Sequence, residues 1–346
     1  MTRLVANTRY ASRDVLAMYA MFGALYLIQG TNETATGLVT QPVNSILKSW
    51  GMTAPRITTF VAILELAWCL KPLFGLLTDF VPLAGFRRKS YLVATAWVAC
   101  LGFSALYFVF PANASHQAVV LLFCLLLPTV AVVFGDVVLD ASVIEAAQSP
   151  RMTGRLQSVR WGASYLATIV TASLGGVLCE AHRQRLAFLI CGGLALGGMM
   201  MSACFREPSK QIVDDDWPTI RETLAASLHS RTVVFVGLFL FVWHFNPFSQ
   251  TVLYLHMTET MRFSEAFYGK TISLVAVGSL LACVGYGLYC QRISMRWLVP
   301  LAIACGVLST LVYGFVVDRT SAVAVILHAA GNEIFCREKV VAGGRA

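Results

Sequence analysis

Four ionisable side chains lie inside otherwise apolar stretches of the sequence: Glu65, Lys71, Asp136 and Asp140. A charge near the centre of a membrane-spanning helix costs about 2.5 to 3.5 kcal/mol, so the four would cost about 10 kcal/mol or more if each were unpaired. We therefore expect them to face one another or a water-filled cavity. Groups of this kind mark the paths of protons, ions or charged solutes.

The depths of these groups predict which of them pair. The apolar stretches that contain Lys71 and Asp140 run in the same direction and end near residues 80 and 149. At 1.5 Å per residue both charges lie roughly 13 Å from that end, whereas Glu65 and Asp136 lie about 22 and 20 Å from it. Lys71 and Asp140 are thus expected at matching depth with opposite charge.

Asp136 and Asp140 are four residues apart and share one face of a helix. If Lys71 neutralises one carboxylate, the other can hold a proton or meet a cationic group of a solute, as a proton-coupled carrier requires. The alternative is a structural charge pair that only joins two helices. His244, in "WHFNPF", lies in a later apolar stretch, where a lone histidine more often packs through a hydrogen bond than carries protons.

The composition defines the setting of these residues. Hydrophobic residues make up 57% of the 346 and charged residues 13%, against roughly 25% charged residues in a soluble domain, and the mean hydropathy is +0.70. Stretches of about 20 apolar residues, long enough to cross a bilayer, recur along the chain. We predict an all-α polytopic membrane protein with nine crossings. The predicted spans are 15–38, 57–79, 91–110, 118–141, 158–179, 186–205, 232–256, 268–290 and 297–317.

The polar segment 206–231 is the longest interruption between these spans. A block of six helices, a linker and a second block is the plan of transporters built from two related halves; an unrelated string of helices with one long loop is the alternative. The predicted regions are an N-terminus 1–14, a first half 15–205, the linker 206–231, three helices of a second half 232–317, and a partial tenth helix with a polar tail 318–346.

The distribution of cations predicts orientation and partners. If the N-terminus is in the cytoplasm, the inner loops hold roughly twice as many Lys and Arg residues as the outer loops, as the positive-inside rule requires. We assign Arg160 to one of these inner loops. The net charge of +8 is therefore topological, and we expect a lipid bilayer and a small solute as partners, with no nucleic acid. The ten cysteines lack metal-ligand spacing, so we expect no disulfide framework, metal or other cofactor. The oligomeric state is left open.

The stretch "KPLFGLLTDFVPLAGFRRKSYL" begins at Lys71 and carries G-x-x-x-D followed by G-x-R-R-K. This pattern resembles the cytoplasmic signature loop of the major facilitator superfamily, with extra residues between Asp79 and Gly85. The whole stretch resembles the folate-biopterin transporter family within that superfamily. Further stretches agree, and the likeness covers residues 15 to about 317. They are "YLIQG", "GDVVLDASVIE", "GRLQSVRWGASYLATIVTASLGG" and "FSEAFYGKTISLVAVGSLLACVGYGLY".

The resemblance implies a major facilitator-like bundle of two halves that carries folates or related pteridines, driven by protons in some members. By likeness, helices one, four and seven line the central cavity, and Lys71, Asp136 and Asp140 match positions within the family's motifs. An inner gating cluster is also implied. Its residues are Gly75, Asp79, Gly85, Arg87, Arg88 and Lys89. Another small organic solute is the alternative cargo.

Carriers of this superfamily have twelve helices, whereas the likeness stops near residue 317. We therefore expect an incomplete second half, in a chain that is either a truncated product or a gene model cut short by a frame or splice error, and that transports poorly alone. A non-transporting membrane protein or receptor is a further alternative. An intramembrane aspartyl protease is not expected, because its G-x-G-D motif needs glycine where "VFGDVV" has Val133. The chain is thus not expected to be an enzyme.

Overall fold

The computed structural model describes residues 12–110, 116–146, 150–204 and 250–289, with isolated positions between 230 and 238 and at 304. Ten helices lie within these ranges. They are α1 (Ser12–Asn32), α2 (Thr40–Ser49), α3 (Ala54–Glu65), α4 (Lys71–Phe80), α5 (Lys89–Phe108), α6 (Gln117–Ala146), α7 (Pro150–Glu180), α8 (Arg185–Cys204), α9 (Gln250–Leu255) and α10 (Glu265–Tyr289).

Five helical stretches within these ranges are long and apolar enough to cross a membrane, and they confirm the predicted second to sixth spans. They are Ala54–Phe80, Lys89–Phe108, Gln117–Ala146, Arg155–Glu180 and Arg185–Cys204. Helices α1 and α10 coincide with the predicted first and eighth spans. His244, most of the linker, the ninth span and the tail lie outside the described residues.

The bundle has two ends. At the first, called the Arg88 end, α4 and α6 finish and α5 and α7 begin. At the second, called the α2 end, α2 lies between α1 and α3, and α7 turns into α8. Within the described part of the chain, α5 packs on α6 and α8, α1 packs on α7, and α7 packs along α10. Buried apolar side chains fill the layers between them, with Phe103, Leu121 and Phe188 toward the α2 end and Phe22 and Leu156 toward the Arg88 end.

Helix α1 ends at Asn32, six residues before the end of the predicted first span at residue 38. A tight turn follows, in which the Gly37 amide donates to the Glu33 carbonyl at 2.9 Å. A Cβ on Gly37 would overlap backbone carbonyl oxygens of this turn. The chain then forms α2, a helix absent from the sequence prediction, whose apolar face is buried.

The predicted second span is broken near its middle. Helix α3 ends at Glu65, residues Leu66–Leu70 form a short 3-10 segment, and α4 starts at Lys71. Pro72 explains the break, since it has no N–H to donate to the Trp68 carbonyl and its ring crowds that oxygen. The break places Lys71 at the first position of a new helix, beside α6.

A close seam joins α7 to α10. Ser173 and Ser273 share a hydrogen bond of 2.7 Å between their hydroxyls, and Ser273 also donates to the Ile169 carbonyl at 2.8 Å. A Cβ on Gly269 would overlap the carbonyl oxygen of Ala172, and one on Gly176 would lie 2.8 Å from the Glu265 carbonyl oxygen. Glycine allows this approach because it has no side chain.

We expect Gly269→Ala to destabilise the protein, because the added methyl group must push the two backbones apart. Overpacking of this kind costs about 1 to 3 kcal/mol, so the Tm of the detergent-purified chain should fall. The matched control is Gly193→Ala on α8, where a new Cβ meets nothing within 4 Å. That control should be neutral or slightly stabilising; an equal Tm for both variants would show that the seam is looser than described.

Candidate functional site

Four charged side chains meet inside the bundle, and we call them the membrane tetrad: Lys71 on α4, Asp136 and Asp140 on α6, and Arg160 on α7. Lys71 Nζ lies 2.7 Å from Asp136 Oδ2. Arg160 lies between the two carboxylates, 2.8 Å from Asp140 Oδ1 and 3.9 Å from Asp136 Oδ2. Two cations therefore balance two anions, which removes most of the cost of placing each charge in the membrane.

Helix α1 completes the tetrad through Tyr26. Its hydroxyl donates to Asp140 Oδ1 at 2.8 Å, and its ring lies under the Arg160 guanidinium, 5.4 Å from centroid to Cζ. Asp140 is therefore held by one neutral and one cationic donor, whereas Asp136 has Lys71 as its near partner.

Exposure differs between the two carboxylates. The Asp136 side chain is 9% exposed and that of Asp140 is 27% exposed. The cations are partly open as well, with Lys71 at 33% and Arg160 at 24%. The tetrad is thus only partly buried, and Asp140 is the more exposed of its two carboxylates.

Aromatic rings surround the cations of the tetrad. Lys71 Nζ lies 4.3 Å from the centroid of the Trp68 ring, and the Arg160 guanidinium lies 5.7 Å from that of Trp161. Phe74 and Phe134 stack beside them with centroids 4.5 Å apart. Cations next to flat rings can bind an anionic group and an aromatic ring of the same molecule.

The expected pairing of Lys71 with Asp140 is wrong, because the structure pairs Lys71 with Asp136. Counting residues along the two helices predicted the depths of the backbone positions, but it did not include the length of the lysine side chain. Helical side chains point toward the N-terminus of their helix, and the four-carbon stem of lysine spans the ~5.4 Å turn that separates Asp140 from Asp136.

The assignment of Arg160 to an inner loop is also wrong. Helix α7 begins at Pro150, ten residues before Arg160, which brings the guanidinium to the two aspartates. A signal was present in the sequence, since proline favours the first position of a helix. Tyr26 had no such signal, because a single tyrosine in an apolar helix does not indicate its partner.

Glu65 does not meet the other three charges, which was one of the two arrangements expected for it. It is the last residue of α3, before the 3-10 break, and its side chain is exposed. It makes no hydrogen bond or ion pair with any residue in the described ranges. The break at residues 66–70 separates it from the face of α4 that carries Lys71.

The residues of the expected gating cluster lie together at the Arg88 end. Arg88 is 5% exposed and donates to Asp79 Oδ1 at 2.5 Å, to Glu145 Oε1 at 2.9 Å and to Thr78 Oγ1 at 2.6 Å. Its guanidinium thereby ties α4 and α6 to the start of α5. Glu145 was not predicted as part of this cluster.

The loop before α5 shapes this cluster. Arg87 donates to the Asp79 carbonyl oxygen, and Gly85 has φ +82°, a conformation that favours glycine. Lys89 lies 5.7 Å from the centroid of the Phe86 ring. On α4, a Cβ at Gly75 would meet Val137 of α6 at 3.9 Å, an ordinary contact.

We expect Arg88→Gln to lower both Tm and activity, because Asp79 and Glu145 then repel each other without a shared cation. Each hydrogen bond to a charged group contributes about 1.5 to 3 kcal/mol. The control is Arg87→Gln, which removes a hydrogen bond to the Asp79 carbonyl oxygen and should cost less. Thermal unfolding of the two purified variants measures the difference, and a larger loss for Arg87→Gln would contradict the central position of Arg88.

A second polar cluster at the α2 end joins the first helices to the last described ones. Glu265, at the start of α10, accepts a hydrogen bond from the Tyr254 hydroxyl at 2.7 Å and from Gln41 Nε2 at 3.1 Å. Lys48 Nζ lies 3.8 Å from the same carboxylate. Helix α2 is thus fastened to α9 and α10.

Comparison with known proteins identifies the family of this chain. A sequence model of the BT1 family matches residues 33–325. The chain belongs to the BT1 family. A relative from Synechocystis, named folate-biopterin transporter, is 29% identical over 79% of this BT1-family chain and 56% of its own length. Folate transporter 1 of Plasmodium falciparum is 22% identical over 69% of the chain and 47% of its own length.

The chain spans about half the length of these curated relatives. Among solved structures, a D-xylose-proton symporter superposes with a TM-score of 0.66 over 94% of the BT1-family chain and 81% of its own, at 14% identity. This likeness shows the fold, a major facilitator-like helical bundle. Together with the five apolar spans, family and fold make the chain an integral membrane protein.

Proposed function

We propose that this BT1-family chain is a secondary active carrier of folate, biopterin or a related pteridine, and that it is a proton symporter. The observation that carries the proposal is the membrane tetrad, a neutral but partly open charge cluster flanked by Trp68 and Trp161. Its members lie on α4, α6 and α7, and the family's named relatives are transporters. None of the relatives cited is named as an enzyme.

The tetrad suits a solute with a flat ring and anionic groups. Lys71 and Arg160 supply two cations for a carboxylate, and Trp68 and Trp161 supply ring faces on which a pterin can stack. Anion binding would draw a cation away from its aspartate. Protonation of that aspartate would then keep the cluster neutral, which couples solute binding to a proton.

Asp140 is the proposed proton carrier. It is the more exposed of the two carboxylates, and Tyr26 offers it a neutral donor that can stay in place when Arg160 turns to the solute. Asp136 keeps Lys71 as its near partner at 2.7 Å. Its role is to position Lys71.

The two ends of the bundle have separate proposed roles. The Arg88 cluster is the inner gate, with the N-terminus in the cytoplasm, and the α2 cluster around Glu265 lies on the outer side. The division into a first half 15–205 and a second half beginning at 232 follows the two-half plan. His244 and Glu65 are proposed only as residues along the pathway.

Uptake by proteoliposomes tests the function. The purified chain is reconstituted, labelled folate or biopterin is added outside, and uptake is measured with and without an imposed gradient that is acid outside. The proposal requires uptake of at least one pteridine above that of empty liposomes, and faster uptake with the gradient. If no pteridine is taken up, the chain is not a pteridine carrier. If uptake is the same with and without the gradient, transport is not coupled to protons.

A further inference from the structure

A basic cleft of about 600 Å³ opens at the α2 end, between the ends of α2 and α5 and the turn from α7 to α8. Its polar wall contains His182, Arg183 and Arg185, and its apolar wall contains Trp50, Tyr107 and Phe110. The cleft is remote from the tetrad, which lies deeper in the bundle. The proposed transport function gives it no role.

The positive charges of the cleft are not neutralised by acidic side chains of the described residues. Arg183 and Arg185 are exposed and form no ion pair with any residue in the described ranges. The nearest acidic residue along the chain, Glu180, is not part of the cleft lining. The cleft therefore presents positive charge to whatever enters it.

The turn holds these cations in place. His182 has φ +54°, in the left-handed region where glycine is usual. The His182 amide donates to the Cys179 carbonyl at 3.1 Å, and the Arg183 amide donates to the Leu178 carbonyl at 2.8 Å. Arg185 is fixed by packing, since its guanidinium lies 4.3 Å from the centroid of the Phe110 ring. This left-handed residue with its two backbone hydrogen bonds is a common way for a helix to end, and it fixes the path of the backbone at the turn.

The level of the cleft indicates its occupant. Three membrane spans end or begin beside it, at Phe108, Glu180 and Arg185, so it lies where the hydrocarbon core meets the headgroups. Trp and Tyr are typical of that level. Next to the cleft, Phe108 and Val109 are 75% and 77% exposed, an apolar surface suited to an acyl chain.

We propose that this cleft binds the phosphate headgroup of an anionic phospholipid, with Arg183 and Arg185 on the phosphate and the acyl chains along Phe108 and Val109. Each Lys or Arg near a membrane surface attracts anionic lipid headgroups with about 1 kcal/mol, and the exposed apolar side chains beside the cleft add contact with the acyl chains. Binding would join the turn between α7 and α8 to the ends of α2 and α5. The bound lipid would thereby stabilise the α2 end.

Lipid binding to the whole chain in detergent tests the proposal. Delipidated protein is titrated with dioleoylphosphatidylglycerol or dioleoylphosphatidylcholine, and bound lipid is counted by native mass spectrometry alongside the Tm. The wild type should retain phosphatidylglycerol and gain Tm, and phosphatidylcholine should do neither. Arg183→Gln/Arg185→Gln should weaken phosphatidylglycerol binding roughly 30-fold, about fivefold for each cation removed.

Two controls make the result specific. Arg56→Gln/Arg262→Gln removes the same charge from exposed positions at the α2 end outside the cleft, and should bind like the wild type. Arg183→Lys/Arg185→Lys keeps the charge and should retain most of the binding. Equal loss in both Gln variants, or wild-type binding by Arg183→Gln/Arg185→Gln, would overturn the proposal. So would displacement of the lipid by millimolar inorganic phosphate or by folate, which would assign the cleft to a free anion.

Discussion

Replacement of Lys71 by methionine is expected to lower pteridine uptake at least tenfold, equivalent to about 1.4 kcal/mol or more. Lys71 is the near partner of Asp136, and without it Arg160 at 3.9 Å is the one cation left beside this buried carboxylate among the residues that the structure describes. Arg160 would then be shared by two anions and less available to a solute. Initial uptake rates in proteoliposomes with equal amounts of folded protein measure the loss.

A second substitution shows which aspartate Lys71 serves. Lys71→Met/Asp136→Asn restores neutrality at the observed pair and should recover part of the uptake if Lys71 acts mainly through that pair. Lys71→Met/Asp140→Asn is the matched control. It gives the tetrad the same net charge, but it neutralises the aspartate that Lys71 does not contact. Normal transport by Lys71→Met alone, or rescue only by the Asp140 substitution, would contradict the pairing described here.

Asp140→Asn and Asp136→Asn are expected to fail in different ways. An amide at position 140 cannot release a proton but can still accept the hydrogen bond from Tyr26. The Asp140→Asn variant should therefore keep solute exchange while it loses accumulation against a gradient, because exchange needs no net proton movement. Asp136→Asn leaves Lys71 without its anion and should lose both activities.

Paired assays separate these outcomes. Exchange is measured with solute on both sides of the membrane and no gradient, and accumulation is measured with an acid exterior over about pH 5.5 to 7.5. The wild type should accumulate more solute at the acid end of that range, and Asp140→Asn should be insensitive to pH. Wild-type accumulation by both variants would eliminate proton transfer at the tetrad, and the reverse pattern would assign the proton to Asp136.

Much of the architecture could be predicted from the sequence, because its signals are local. Apolar runs of membrane length located five crossings, and the motif around Asp79 and Arg88 located the loop that the structure places at one end of the bundle. Lys71, Asp136 and Asp140 were identified by the cost of burying charge. These inferences needed no knowledge of which helices touch.

The rest depended on contacts between distant segments. Arg160 and Tyr26 join the site only because α7 and α1 pack against α6, and Lys71 reaches Asp136 because its stem spans a helical turn. Pro72 accounts for the break after Glu65, but the surrounding sequence is apolar on both sides and does not show where the helix is interrupted. Gln41 and Glu265 are 224 residues apart, so neither predicts the other in a single sequence.

The seam between α7 and α10 has a mechanical consequence. Its contacts involve residues 169–176 of α7 and 265–273 of α10, near the α2 end. Beyond Ser273, α10 continues for about 24 Å toward the Arg88 end at the usual helical rise. Helices in such close contact resist separation. Were α10 to tilt about this seam, a rotation of about 5° would shift its far end by roughly 2 Å at that length and leave the α2 end almost unchanged.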